Sequence, residues 1–149
     1  SNVIIHAQRG KIVRKIETIS LHCSDTNNPN HDNILTIKKW HTSQPPLGRG
    51  WNDVGYHFFI RNDGTIEIGR PIDSLPAAVE GHNQGMIAIC LHGKEINDFN
   101  LKQFDQLEKL VKFLMIVFQI KKENIQGHNF WNKGKLCPVF NVEIFKKRI

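Results

Sequence analysis

The stretch GHNFWNKGKLCPVF, residues 127–140, holds a histidine and a cysteine nine positions apart, two lysines, and a proline directly after the cysteine. Imidazole nitrogen and thiolate sulfur are both zinc ligands, and a turn-rich loop can fold back to bring His128 and Cys137 to one ion. Two ligands do not make a catalytic centre, because such sites use three protein ligands and keep the fourth position for water. A third donor must come from elsewhere in the chain.

His22 is the best placed of the eight histidines. In IETISLHCS, Ile19, Leu21 and Cys23 alternate with Thr18, Ser20 and His22, the pattern of a strand with one apolar and one polar face. His22 ends that strand just before the polar loop SDTNNPNHDN, where a site residue is expected to be held firmly yet exposed. Cys23, the nearest fourth ligand by sequence, should point to the opposite face. An open zinc site of His22, His128 and Cys137 is therefore expected. Copper would want a weak axial methionine or a substitute such as glutamine or a carbonyl, and Met86 and Met115 fall in a predicted strand and a predicted helix. His6, His31 and His92 read as surface or strand-end residues. A cysteine peptidase, with Cys137 as nucleophile and a histidine as base, is the rival chemistry for the same residue types.

These residues need elements to position them. Asp32 or Asn33 can cap a helix whose Ile34, Ile37, Trp40 and His41 share a face, and which should stop before Pro45-Pro46. After the loop QPPLGRGWNDVG, the run YHFFIRNDGTIEIGRP places Asn62-Asp63-Gly64 between two β-rich segments, a hairpin signal. MIAICLHG reads as a buried strand ended by glycine. NDFNLKQFDQLEKLVKFLMIVFQIKK reads as the longest helix, with an Asn100/Gln103 capping box. Its Leu101, Phe104, Leu107, Leu110, Val111, Leu114 and Phe118 form one apolar stripe at helical spacing. The order strand, helix, hairpin, strand, helix, ligand loop implies an α/β fold with a single mixed β-sheet flanked by helices.

The 149 residues fit a single domain, 1–149, with a sizeable core. No run of about 18 apolar residues could cross a membrane as a helix. The opening SNVIIHAQRGKIVRKIETIS lacks the succession of a secretory signal, so no signal peptide is expected. Three cysteines are an odd number in a chain of this size, which argues against a disulfide framework. A net charge of +6 suits a polyanionic partner such as a cell wall, an anionic membrane or nucleic acid. The lysines are scattered apart from pairs at 38, 121 and 146, so a nucleic-acid partner is not expected.

Several segments, in order, resemble the type 2 zinc-dependent N-acetylmuramoyl-L-alanine amidases, the family of the T-odd phage amidase lysozymes and relatives of the peptidoglycan recognition proteins. They are LHCS, IKKWH, GWNDVGYHFFIRNDGTIEIGRP, GHNQGMIAICLHG and GHNFWNKGKLCP. The resemblance implies that fold, Zn2+ on His22, His128 and Cys137, and two catalytic residues, Tyr56 in GYHF and Lys135 two before the cysteine. It implies peptidoglycan as partner, a monomer, and an enzyme that stays in the cytoplasm until released or acts at the cell wall. The chain departs from the family in PAAVEGHN, where Ala78 and Val79 stand in a segment that commonly carries a histidine, with His82 close by. The alternative is a non-catalytic peptidoglycan-binding module of the same fold. Retention of Cys137 favours the enzyme.

Overall fold

The computed structural model describes residues 14–149, so the expectations for His6 and for the opening segment up to residue 13 lie outside the described residues. Five strands, β1 (Thr18–Cys23), β2 (Phe58–Ile60), β3 (Ile66–Ile68), β4 (Met86–Leu91) and β5 (Ile125–Gly127), form one sheet in the order β3-β2-β4-β1-β5. Among the described strands only the β2–β3 pair is antiparallel. This is the mixed sheet expected from the order of elements. The turn between β2 and β3 carries Gly64 at φ +90°, a conformation that suits glycine, and Gly64 N–H donates to Arg61 O at 2.9 Å.

Two helices cover the two faces. Helix α1 (Ile34–Thr42) starts at Asn33, whose side chain accepts from Thr36 N–H, and ends before Pro45 as expected. Its Ile34 and Ile37 pack with Val54, Phe59, Cys90 and Tyr56. Helix α2 (Leu101–Phe118) covers the other face, setting Leu107, Val111 and Leu114 against Ile19, Leu21, Ile87 and Ile89. Both faces being covered explains why all six residues of β4 are buried and apolar.

Three expectations need correction. The polar face of β1 is covered beyond Thr18, where the Tyr56 and His128 rings pack on His22: His22 is 1% exposed and Ser20 0%. Leu101 leaves the apolar stripe and is 73% exposed. Gln103 takes the buried place instead, with Nε2 donating to His92 O at 2.9 Å. Finally, α2 stops at Phe118, where Gln119 turns left-handed at φ +57°, and the following lysines lie beyond it. Two short helices complete the chain, α3 (His128–Trp131) and α4 (Val142–Lys146).

Candidate metal centre and cleft

Strand β1 is the central element of the site, flanked by β4 and β5 and so fixed by backbone pairing on both sides. His22 lies opposite Cys90 in register, on the face that α1 covers. Leu21 lies opposite Gly127, so the chain leaving β5 delivers His128 beside His22, with ring centroids 4.9 Å apart. A side chain at Gly127 has no room, since its Cβ would stand 2.6 Å from Pro138 Cδ. The loop then returns Cys137 to the same point. Asn129 N–H donates to Cys137 O at 3.0 Å, and Cys23 N–H donates to Cys137 Sγ at 3.2 Å.

The structure thus brings together all three expected ligands. One donor atom from each of His22, His128 and Cys137 lies within 4.8 Å of the others. Among the described residues no other cluster of this kind occurs. His22 Nδ1 stands 3.8 Å from Cys137 Sγ. Tetrahedral zinc, with bonds of about 2.0–2.3 Å, sets its ligands roughly 3.5 Å apart, so the spacing fits a single small cation. The other ring nitrogen of His22, Nε2, meets Ser20 Oγ at 2.7 Å. Cys23 donates its backbone N–H to the Cys137 sulfur, and its side chain packs in the core on the α2 side, where it also meets Cys137.

The electrostatics keep the imidazoles neutral. Burial, and then neighbouring His128, hold His22 well below the usual histidine range. Burial, and then the charge of Lys135, lower His128. The hydrogen-bonded Cys23 side chain and burial push the Cys137 thiol up, so without a cation the sulfur carries its proton. A bound cation reverses that preference.

Tyr56 and Lys135 both border the metal cluster. The Tyr56 ring lies 5.1 Å from that of His22, and its backbone oxygen accepts from Arg70 N–H at 2.8 Å. Burial, with the Cys90, Cys137 and Cys23 sulfurs adding to it, pushes the phenol well above its usual range and keeps it a hydrogen-bond donor. Lys135 is exposed and held by its N–H to Asn132 O at 3.1 Å. Both line an open cleft of about 890 Å³ together with His128 and Cys137.

That cleft shares His41, Arg49, Tyr56, His128 and Lys135 with a second hollow of about 370 Å³, whose walls add Trp51, Ala78, Glu80, Asn83 and Asn132. Most of these wall residues come from loops and carry no periodic signal. His41 was visible only as the last member of the α1 face. Its Nδ1 accepts from Gly55 N–H at 2.9 Å, and burial, then Arg49 and Arg70, lower it to about 4. Arg49 lies 5.0 Å over the Trp51 ring. His82 faces Trp131, with centroids 6.4 Å apart, and Ala78 occupies the wall. His31 and His92 have structural settings: His31 Nδ1 meets Thr26 Oγ1 at 2.9 Å, and His92 is buried with Asp32 3.8 Å from its ring.

Residues 5–140 match the family described as N-acetylmuramoyl-L-alanine amidase. The chain is 43% identical over 131 residues to the endolysin of Klebsiella phage KP32, covering 84% of this chain and 82% of that protein. It is 33% identical over 133 residues to the endolysin of Escherichia phage T7, covering 85% and 83%. Among solved structures, an endolysin N-acetylmuramoyl-L-alanine amidase from Clostridium intestinale superposes with a TM-score of 0.78 at 28% identity, over 91% of this chain and 84% of that one.

Proposed function

The chain belongs to the N-acetylmuramoyl-L-alanine amidase family and cleaves the amide between N-acetylmuramic acid and L-alanine in peptidoglycan; from that premise we propose that it does so with zinc held by His22, His128 and Cys137. The observation that carries the reading is the convergence of two neutral imidazoles and one sulfur on a single point beneath an open cleft. When bound, zinc polarises the scissile carbonyl and lowers the pKa of water towards about 7.

The protein's own groups supply the rest. Tyr56, kept protonated by burial, donates a hydrogen bond to the carbonyl oxygen as negative charge develops there. Lys135, lining the same cleft, adds positive charge and a proton donor for the leaving amine of L-alanine. The hollow beyond, with Arg49, Glu80 and Asn132 on its walls, receives the stem peptide. Among the described residues no helix is long and apolar enough to cross a membrane, which suits an enzyme released to act at the wall.

Digestion of purified peptidoglycan followed by mass spectrometry tests the reading. Stem peptides beginning with a free L-alanine amine should appear, cease with a chelator, and return on addition of zinc. Activity that persists after complete metal removal would point to Cys137 as a nucleophile instead. Wall binding without cleavage would point to a recognition module.

A further inference from the structure

We propose that the Ser20 hydroxyl is a positioning residue for the metal ligand His22: it accepts the Nε2 proton and so presents the Nδ1 lone pair to the metal. The inference rests on reading His22, His128 and Cys137 as metal donors.

A neutral imidazole has one N–H, and the nitrogen that carries it cannot ligate. Ser20 Oγ stands 2.7 Å from Nε2, and Nδ1 lies on the side of Cys137 Sγ, at 3.8 Å. Only the arrangement with the proton on Nε2 and the serine oxygen as acceptor leaves Nδ1 open towards the cluster. In the reverse arrangement the hydroxyl donates to Nε2, and the proton on Nδ1 blocks coordination.

The pair is also shut off from solvent, with Ser20 0% and His22 1% exposed. An apolar residue at position 20 would leave a buried N–H without a partner, at a cost that falls on the metal-binding tautomer. Ser20 and His22 share a face of β1, with Ala88 and Gln126 opposite Ser20 in register on either side. The backbone therefore sets the separation between hydroxyl and ring, so the ring is aimed before a metal arrives.

The test uses zinc itself as the probe, with affinity measured by competition against a chromophoric chelator. Ser20→Ala should bind zinc about 10- to 100-fold more weakly, the range expected when a hydrogen-bond partner of a metal ligand is removed. Ser20→Thr, which keeps the hydroxyl, should stay close to the parent. The melting temperature of the metal-free proteins separates loss of folding from loss of ligand orientation. In the unsubstituted metal-free protein, long-range 1H–15N spectra should show the His22 proton on Nε2, a readout that needs no variant to fold. A proton on Nδ1, or unchanged zinc affinity in Ser20→Ala, would overturn the inference and leave the metal centre standing. Failure of the parent protein to bind zinc would overturn both.

Discussion

The backbone N–H of Cys23 donates to the sulfur of Cys137 at 3.2 Å, joining residues 114 positions apart. This bond anchors the C-terminal loop to the end of β1 and sets the sulfur beside His22 Nδ1. It also marks where charge must change when metal enters. Both imidazoles are held neutral at pH 7, whereas the Cys137 thiol is held protonated by the Cys23 side chain and burial. Zinc uptake near neutral pH should therefore release about one proton, from Cys137, and affinity should fall about tenfold per pH unit on acidification. Calorimetry in buffers of different ionisation enthalpy measures the proton count. A count of zero would contradict the cysteine as ligand. Cys137→Ser should lose both zinc retention and cleavage.

Tyr56 and Lys135 act on the substrate rather than on the metal in the proposed reaction, which separates their variants from those of the ligands. Tyr56→Phe removes one hydroxyl of a half-buried side chain and Lys135→Ala one exposed charge. Loss of one such donor costs about 100- to 1,000-fold in turnover. Each variant should show that drop in kcat on soluble muramyl peptides with zinc content unchanged. Full activity in both would remove them from the mechanism.

His57 makes stability depend on pH. It is fully buried; its Nδ1 accepts from Ala88 N–H at 3.0 Å and its Nε2 meets Ser74 O at 2.7 Å. Burial chiefly, aided by Arg14 and Arg70 against the Ser74 bond, lowers it from 6.5 to about 4. Between those values the unfolded chain takes up a proton that the folded chain refuses, so stability rises with pH across that window. The contribution is complete above about 6.5 and lost by about 4, a total on the order of 3 kcal/mol. Urea unfolding of the metal-free protein at pH 7, 5.5 and 4 should show the decline, and His57→Gln should make it shallower, the remaining slope coming from His22, His41 and His128. Equal pH slopes in both proteins would rule His57 out as the source.

The elements and the cluster of candidate ligands were legible for a physical reason: each left a local mark. Asn33 and Asn100 announce helix starts, Asn62-Asp63-Gly64 announces the hairpin, and the ligand types narrow to His22, His128 and Cys137 by chemistry and strand alternation. What alternation could not convey is which polar face would be covered. Ser20 and His22 look like a solvated edge, yet β1 lies inside the sheet and both are buried, His22 beneath Tyr56 and His128. The same alternation does place Ser20 and His22 on one face, so their contact was implicit once the face was known to be buried. The cleft walls at Arg49, Glu80 and Asn132 come from loops distant in sequence, whose meeting depends on tertiary closure.

Gln103 illustrates how a polar residue can hold a position that periodicity assigns to a leucine. It is 0% exposed within α2, yet its Oε1 accepts from Asn100 N–H at 3.2 Å while its Nε2 donates to His92 O at 2.9 Å and Ile60 O at 3.4 Å. One side chain therefore closes the capping box and ties the start of α2 to the ends of β2 and β4. Gln103→Leu keeps the volume but strands His92 O and the Asn100 N–H, each costing about 1–3 kcal/mol when buried. Asn100→Ala removes the cap and an exposed hydrogen bond from Nδ2 to Asn62 O at 2.9 Å, and should cost about 1 kcal/mol. Chemical unfolding should rank the two in that order, with zinc affinity unchanged in both because neither residue lines the cleft. A Gln103→Leu protein as stable as its parent would mean that apolar burial compensates for the orphaned groups, and that the glutamine is not needed for the fold.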